Sequence, residues 1–274
     1  NVSGNAILIY GFHCGTEGVA IPTLVSRFVA AFIIIKLLLK DKWTLHLKRT
    51  FRFNPDWSMI RKILSVGIPN GLENSMFQLG KVLVLSLVST FGTYAIAANA
   101  VSNVITLFSI LPGQAICLAV TTVIARCVGA GDYEQAKYYN KKLILLTHIG
   151  MAITIFIVFI TLPFILKVYN LSEAASEATR HIIWFHGFCA ILIWAESFTL
   201  PATFRACGDA KACMIISTVS MWIFRVGASY ILGKNLGLGV FGVWVAMIID
   251  WAFRSLLFGI RYFSGKWKKH ALVS

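Results

Sequence analysis

The chain has 274 residues, of which 58% are hydrophobic and only 13% are charged, and its formal net charge at pH 7 is +14. Soluble domains carry about twice that charged fraction, so the composition excludes an ordinary soluble enzyme or binding domain. It is typical of a membrane protein with several spans. The chain begins at Asn1 without a Met or a basic signal segment, and we interpret this as a truncated start.

Apolar runs long enough to cross a bilayer recur along the chain. Leu143–Leu166 has 24 residues and Val82–Ala125 has 44, and neither contains Lys, Arg, Asp or Glu. About 20 apolar residues suffice for one helical span, and the runs do not alternate as barrel strands do. We predict an all-α polytopic membrane protein with a partial helix over 1–11 and full helices at 17–40, 60–90, 94–126, 138–167, 175–205, 211–234 and 239–263.

The basic residues are concentrated in alternate connections between the predicted helices. Residues 36–62 contain eight Lys or Arg and residues 126–142 contain four, whereas residues 89–93 contain none. Over all connections, 18 basic residues lie on one predicted face and three on the other. The positive-inside rule predicts that the basic face, with the C-terminus, is cytoplasmic. The lipid bilayer is therefore the expected partner of this charge, and nucleic acid is not.

Two stretches near the ends of the chain resemble each other. Gly18–Trp43 and Gly242–Trp267 both have 26 residues, begin Gly-Val and end Lys-Trp. We interpret them as corresponding helices of a duplication, since repeats related by an axis along the membrane normal are a transporter architecture. The predicted division is 1–43 for the end of an N-terminal lobe, 44–59 for a basic cytoplasmic connector along the membrane face, 60–265 for a six-helix lobe and 266–274 for a cytoplasmic tail.

Four segments resemble the C-terminal half of the multidrug and toxic compound extrusion (MATE) transporters of bacteria. They are IPNGLENSMFQLGK (68–81), LPGQAICLAVTTVIARCVGAGDYEQAKYY (111–139), FTLPATFRACGDAK (198–211) and the stretch at 242–267. The resemblance covers essentially the whole chain. It implies a twelve-helix fold of two six-helix lobes in the bacterial plasma membrane, with export of organic compounds in exchange for H⁺ or Na⁺ by alternating access. We expect the exported compounds to be cationic. This chain would hold the end of helix 5 through helix 12, and the missing N-terminal lobe would be its partner.

Several ionisable side chains fall inside the predicted spans. An ionisable group at mid-bilayer costs about 2.5–3.5 kcal/mol on insertion scales, so each needs a partner or a wet cavity. We take the three acids among them, Glu73, Glu196 and Asp250, as candidates for binding the coupling cation. MATE transporters that use an acid in this lobe place it at the level of Phe77 and Gln78, and others use the N-terminal lobe, so coupling in either lobe stays open. The ionisable residues are Arg27, Glu73, Lys81, Glu196, Arg225, Asp250 and Arg254.

The helix predicted at 60–90 carries a polar stripe. Its members recur at spacings of three and four, which predicts one face of a helix. The stripe either lines a substrate cavity or packs against polar groups of neighbouring helices. Lys81 could neutralise Glu73 or hold an anionic group. The stripe consists of Asn70, Glu73, Asn74, Phe77, Gln78 and Lys81.

The span that contains Glu196 is rich in aromatic residues. Trp194, with Trp184 and His186, could line a pocket for a flat organic cation. The alternative is that Trp184 and His186 belong to an interfacial aromatic belt and that Glu196 pairs with Arg225. Both interpretations remain open from the sequence.

The remaining candidates are structural or conformational. Asp250 and Arg254 are spaced for an ion pair along one helix, which Arg225 could join. Arg205 and Asp209 are expected to cap and orient helix ends at the cytoplasmic turn, or to form part of an inner gate. Three residues inside the spans should kink them and could hinge the gating motion: Pro112, Gly113 and Pro201.

No motif for an enzyme, a metal or a cofactor is visible. The six cysteines stand singly, without metal-ligand spacing, and no phosphate-binding loop or catalytic triad is evident. We therefore expect a non-enzymatic transporter with no cofactor beyond its coupling ion. Two alternatives are a lipid-linked oligosaccharide flippase, which would need a cationic cavity for pyrophosphate, and a half-protein with only a structural or assembly role.

Overall fold

The structure is a computed structural model that describes residues 1–40 and 55–270. The described part is helical throughout, as predicted, and each helix ends within a few residues of its predicted bounds. The predicted path of the connector along the membrane face lies largely outside the described residues. The eight helices are α1 Val2–Gly11, α2 Glu17–Leu38, α3 Trp57–Ser89, α4 Thr93–Gly129, α5 Tyr133–Tyr169, α6 Glu173–Ala206, α7 Ala210–Asn235 and α8 Gly239–Phe263, and a short 3₁₀ helix follows at Lys266–His270.

Six of the described helices are long and apolar enough to cross a membrane: α2, α4, α5, α6, α7 and α8. Helix α3 has 33 residues, about 50 Å at 1.5 Å per residue, so it too is long enough to span. It is more polar than the others because it carries the stripe described above. The fold is therefore the predicted all-α polytopic membrane fold.

The chain divides into two compact units, Asn1–Asp56 and Trp57–Ser274. In the first unit α1 packs against α2, and the Thr23 hydroxyl donates to Oδ1 of Asn1 at 3.2 Å. Arg27 is an exposed residue of this unit. The boundary between the units falls inside the predicted connector, three residues before its predicted end.

The second unit is a six-helix bundle built from α3 to α8. Helix α4 packs on α5 and α6, α3 packs on α7, and α8 packs on both α6 and α7. One core cluster surrounds Trp194, Trp244 and Trp251, and a second joins Ile124, Phe204, Phe258 and Trp267. The side chain of Trp267, which ends the repeated stretch, is 1% exposed and stacks on Tyr262.

Two turns of this bundle share a Gly-Asp pair. Gly131 and Gly208 both have positive φ, 77° and 85°, a conformation that favours glycine. Asp132 then caps α5 by accepting from the backbone N–H of Gln135 at 2.8 Å. Asp209 occupies the same N-cap position before α7, but its side chain makes no capping hydrogen bond to that helix.

Helices α6 and α7 contain π-helical turns. In α6 the turn covers Ala195–Thr199 and ends just before Leu200 and Pro201. In α7 two such segments follow each other, Met221–Gly227 and Tyr230–Asn235. A π-helical turn inserts an extra residue into the helix and is frequent at functional sites. Glu196 and Arg225 both lie on these turns, and no feature of the sequence predicted them.

Candidate functional site

The six-helix unit contains two adjoining cavities of about 430 and 220 Å³. Helices α3, α4, α6, α7 and α8 all contribute to their walls. The larger volume lies in the range of ligand pockets, which is about 300–1,000 Å³. Five residues line both cavities: Lys81, Asn103, Arg225, Trp244 and Met247.

The walls of the larger cavity are mainly aromatic. Trp194 and Phe198 of α6 stack with ring centroids 5.0 Å apart, and Trp251 of α8 meets Phe198 edge-on at 5.4 Å. Trp194 reaches this position because α4 has a glycine opposite it: a Cβ on Gly113 would lie 2.3 Å from the Trp194 ring. Gly113, expected to be a hinge, therefore makes room for a cavity wall.

Of the three aromatic residues predicted to line a pocket in α6, the structure places two at the cavity and one away from it. Trp194 and His186 line the cavity, and His186 packs edge-on against Trp244 and Trp251 at 5.4 and 5.2 Å. Trp184 points elsewhere, stacking on Phe159 at 4.1 Å, and it is 42% exposed. The prediction that all three residues form one pocket is therefore wrong, because Trp184 lies on another face of α6.

The polar stripe of α3 is divided in the same way. Phe77 and Lys81 line the larger cavity. Asn74 is exposed and donates to the backbone carbonyl of Asn70 at 3.0 Å, so this pair is satisfied within its own helix. Gln78 is exposed as well, and it is not among the residues that line either cavity.

Glu73, the first predicted coupling acid, is buried and paired with an arginine. Its two carboxylate oxygens each accept from Nη2 of Arg205 at 2.7 Å, and the Glu73 side chain is 5% exposed. Lys81, the partner suggested by sequence, lines the cavity instead. Arg205 was expected at a helix cap, but its long side chain reaches from the end of α6 to Glu73 of α3.

Asp250 is the most enclosed of the three acids. Its side chain is fully buried, and Oδ1 accepts from the Ser220 hydroxyl at 2.5 Å. Oδ2 lies 4.0 Å from Nη1 of Arg225, whose Nη2 contacts the Met247 sulfur at 3.0 Å. The ion pair of Asp250 therefore runs between α8 and α7, with the Arg225 that was expected to be able to join it. Within the described residues, no nitrogen of Arg254 lies within 4.0 Å of the Asp250 carboxylate, so the expected pair along α8 is not in direct contact.

Arg254 is held by aromatic rings. Its guanidinium lies over Phe198 at 4.6 Å, Phe77 at 5.1 Å and Phe258 at 5.9 Å from the ring centroids. It also donates to the backbone carbonyl of Ser197 at 3.3 Å. Arginine is suited to such an environment because its charge is delocalised and weakly hydrated.

Glu196, the third acid, is paired with a histidine that sequence reasoning missed. His148 Nε2 lies 2.9 Å from Oε1 of Glu196, and His148 Nδ1 lies 2.6 Å from the backbone carbonyl of Ile191. The Glu196 and His148 side chains are 32% and 27% exposed. The predicted Glu196–Arg225 pair is wrong, because the two residues face different neighbours. His148 could have been noticed as the one titratable side chain in the apolar run 143–166.

Asp209 is bound to the end of the last helix. Its carboxylate accepts from Nε of Arg261 at 2.5 Å and from Nη2 at 2.9 Å. The expected capping role of Asp209 is thus replaced by a two-bond ion pair between the α6–α7 turn and α8. Arg205 and Asp209, four residues apart, tie the same turn to α3 and to α8.

The cysteines and the acids do not assemble a metal site in the described residues. All six cysteines are free thiols, and no group of three or more His, Cys, Asp or Glu side chains converges within the described ranges. Burial, with a smaller effect of Asp209, raises the pKa of the Cys207 thiol to about 12. That thiol therefore stays protonated and unreactive.

The chain matches known transporters in sequence. The MatE family model matches residues 69–231, more than half of the chain. The probable multidrug resistance protein NorM of Thermotoga maritima is 27% identical over 97% of this chain and 57% of its own length. The uncharacterized transporter YisQ of Bacillus subtilis is 26% identical over 97% of this chain and 59% of its own length. The chain thus spans less than two thirds of these relatives.

Solved structures agree on the fold. An outward-facing multidrug resistance MATE family transporter of the MOP superfamily superposes with a TM-score of 0.86 at 20% identity. The match covers 97% of this chain and 61% of that structure. At this identity the likeness concerns the fold alone, and it includes the five helices that line the cavities.

Proposed function

Because this chain belongs to the MatE family, we propose that it forms the C-terminal lobe of a secondary active transporter that exports organic compounds in exchange for H⁺ or Na⁺. It would supply the end of helix 5 through helix 12, and an N-terminal lobe would be its partner. The function is transport rather than catalysis, with the coupling ion as the only small ligand besides the substrate.

The observation that carries this proposal is the aromatic cavity among α3, α4, α6, α7 and α8. A substrate of moderate size could pack between Trp194, Phe198 and Trp251 without forming many directed hydrogen bonds. Such a site suits compounds that share a flat apolar body and differ in detail. The positive charge first expected of the substrate has less support, since no acidic side chain lines either cavity.

Among the three acids, Glu196 is the best candidate for proton coupling in this lobe. Glu73 and Asp250 face arginines, which keep their charge at all accessible pH values. Glu196 faces His148, whose side chain type titrates near neutral pH. The pair also retains a partly exposed surface through which a proton could enter or leave.

The transport proposal is tested with the natural protein that carries this chain, reconstituted in tight proteoliposomes. Efflux of two fluorescent probes of opposite charge, naphthylmethylammonium and naphthylacetate, is followed under an imposed pH gradient and then under an imposed Na⁺ gradient. We expect gradient-driven efflux of at least one probe, abolished by an ionophore that collapses the gradient. Protein-free vesicles give the background, and efflux no faster than that background under both gradients would contradict the exporter.

A second candidate function is the flipping of a lipid-linked oligosaccharide. The observation in its favour is that Lys81 and Arg225 line the same cavity, where they could hold a pyrophosphate. A fluorescent polyprenyl-pyrophosphate saccharide in the same vesicles tests it. Transfer of this lipid between leaflets, without efflux of either soluble probe, would favour the flippase over the exporter.

The membrane orientation belongs to the same proposal. The positive-inside rule supports a bacterial plasma membrane protein whose C-terminus is cytoplasmic. The turns that carry Gly131 and Gly208 would then face the cytoplasm, together with the pairs of Arg205 and Asp209. A single cysteine introduced at exposed Glu134, just after the Gly131 turn, is treated with a membrane-impermeant reagent in intact and in permeabilised cells. We expect labelling only after permeabilisation, and labelling in intact cells would reverse the orientation.

A further inference from the structure

The cavities of the six-helix unit carry positive charge. Lys81 of α3 and Arg225 of α7 line both of them. All other lining side chains are apolar, aromatic or neutral polar groups such as Asn103 and Gln114, apart from His186, and no Asp or Glu is among them. A binding site built for an organic cation would be expected to present the opposite sign.

The nearby carboxylates offset only the part of this charge that Arg225 carries, and they leave the charge of Lys81. Glu73 is bound to Arg205 through two 2.7 Å contacts, so that pair is neutral by itself. Asp250 is shared between the Ser220 hydroxyl at 2.5 Å and Arg225 at 4.0 Å, behind the cavity wall. Lys81 forms no side-chain hydrogen bond or ion pair with any residue in the described part of the chain. Its ammonium group is therefore available to a ligand.

The aromatic walls alone could also attract a cation, so the two effects must be compared. At an effective dielectric constant of about 20, repulsion between like charges about 5 Å apart lowers affinity on the order of 100-fold. A cation–π contact raises affinity by roughly 10-fold. Moreover, Arg254 already covers faces of Phe77 and Phe198. The repulsion exceeds the attraction, and the balance favours an anion.

We propose that this cavity binds an amphipathic organic anion, with its flat apolar body against Trp194 and Trp251 and its carboxylate, sulfonate or phosphate head between Lys81 and Arg225. This inference rests on the proposed function, whose substrate class it names. The two basic residues would bind the head group in different ways. Arg225 is held in place by Met247 and Asp250, whereas Lys81 has a flexible side chain and reaches the head group as a point charge.

The test uses a matched pair of probes that share one aromatic body and differ in charge. Binding of naphthylacetate and naphthylmethylammonium to the natural protein in detergent is measured by quenching of tryptophan fluorescence. We expect naphthylacetate to bind at least 10-fold more tightly. Tighter binding of naphthylmethylammonium, or no binding of either probe, would overturn the inference.

Lys81→Gln is the informative variant because Lys81 is exposed and its replacement should leave the fold intact. It should weaken naphthylacetate binding about 10-fold and leave naphthylmethylammonium binding equal or stronger. Lys211→Gln makes the same change of charge at an exposed position outside the cavities and should bind both probes as the wild type does. If Lys81→Gln binds naphthylacetate as tightly as the wild type does, the anionic head group does not bind at Lys81 and the proposed site is overturned.

Binding in detergent and efflux from proteoliposomes, measured with the same two probes, separate this inference from the transport proposal. Tight binding of naphthylacetate without gradient-driven efflux would keep the anion site and overturn the exporter. Preferential efflux of naphthylmethylammonium would keep the exporter and overturn the anion site. Farnesyl pyrophosphate, added as a competitor, distinguishes the source of the anion. If its inhibition constant for naphthylacetate binding is lower than the dissociation constant of naphthylacetate, the ligand is a lipid-linked head group. If its inhibition constant is higher, the ligand is a soluble organic anion.

Discussion

Glu73 and Glu196 are both acids inside membrane helices, but they meet different partners. Glu73 accepts two bonds from Arg205 and its side chain is 5% exposed, whereas Glu196 makes a single 2.9 Å contact with His148 and is 32% exposed. Arginine keeps its charge, so the Glu73 pair is fixed. Histidine gains or loses a proton near neutral pH, so the Glu196 pair can change its charge.

The comparison teaches that position within a span does not decide the role of an acid. Glu73 ties α3 to α6, and its removal would leave Arg205, whose side chain is 25% exposed, without its carboxylate partner. Glu196 ties α6 to α5 through a partner that can itself become neutral. Structural and coupling roles are therefore separable by experiment, because the first affects stability and the second affects pH dependence.

The largest expected effect is that of Glu73→Gln. Breaking a buried ion pair by removing one member leaves the other uncompensated, so we expect a loss of about 3 kcal/mol in the free energy of unfolding. Thermal unfolding in detergent measures it, and Asn74→Ala, next to it but exposed, is the control. If Glu73→Gln unfolds like the wild type and loses only export, Glu73 has the coupling role that the sequence suggested.

Asp209→Asn should have the next largest effect. The Asp209–Arg261 pair also joins a carboxylate to an arginine by two bonds and is about as exposed as the Glu73–Arg205 pair. Asp209 lies in the turn between α6 and α7, however, where water can hydrate the separated partners more easily than at Glu73 in the middle of α3. We expect a loss of about 1–2 kcal/mol in unfolding free energy. Asp132→Asn is the matched control on the other Gly-Asp turn, because asparagine caps a helix about as well as aspartate. Equal losses in both variants would mean that Asp209 acts through the turn and not through Arg261.

The helices of this protein could be predicted from sequence because each is an apolar run of membrane length. The family could be recognised because its motifs lie in order along the chain. The turn that carries Asp209 was also predicted. These properties depend on residues close together in sequence.

The partners of the charged residues could not be predicted, because they depend on which helix faces meet. Glu73 and Arg205 are 132 positions apart, and Glu196 meets His148 rather than Arg225. The π-helical turns that carry Glu196 and Arg225 rotate those side chains relative to a regular helix, so helical spacing misplaces them. Arg254, expected in an ion pair, lies among phenylalanines that only tertiary packing brings together.

Glu196→Gln and His148→Gln should change stability little and transport more. Their contact is partly exposed, so we expect a loss of about 1 kcal/mol or less in unfolding free energy. Efflux driven by a pH gradient should fall at least tenfold in both variants and lose its dependence on external pH between about 5 and 8. If both variants keep the wild-type dependence of efflux on pH, proton coupling lies outside this pair. If only efflux driven by a Na⁺ gradient falls, the coupling ion at this pair is Na⁺.

The smallest effect is expected for Glu134→Gln, which tests whether exposure or distance decides the value of an ion pair. Glu134 lies 2.6 Å from Lys137, about as close as Asp209 lies to Arg261, but its side chain is 78% exposed. Water and salt screen such a pair, so its removal should leave the unfolding temperature unchanged at both low and high ionic strength. A shift as large as that of Asp209→Asn would show that contact distance governs these pairs. The same result would weaken the distinction between Glu73 and Glu196, since that distinction relies on burial and on the chemistry of the partner.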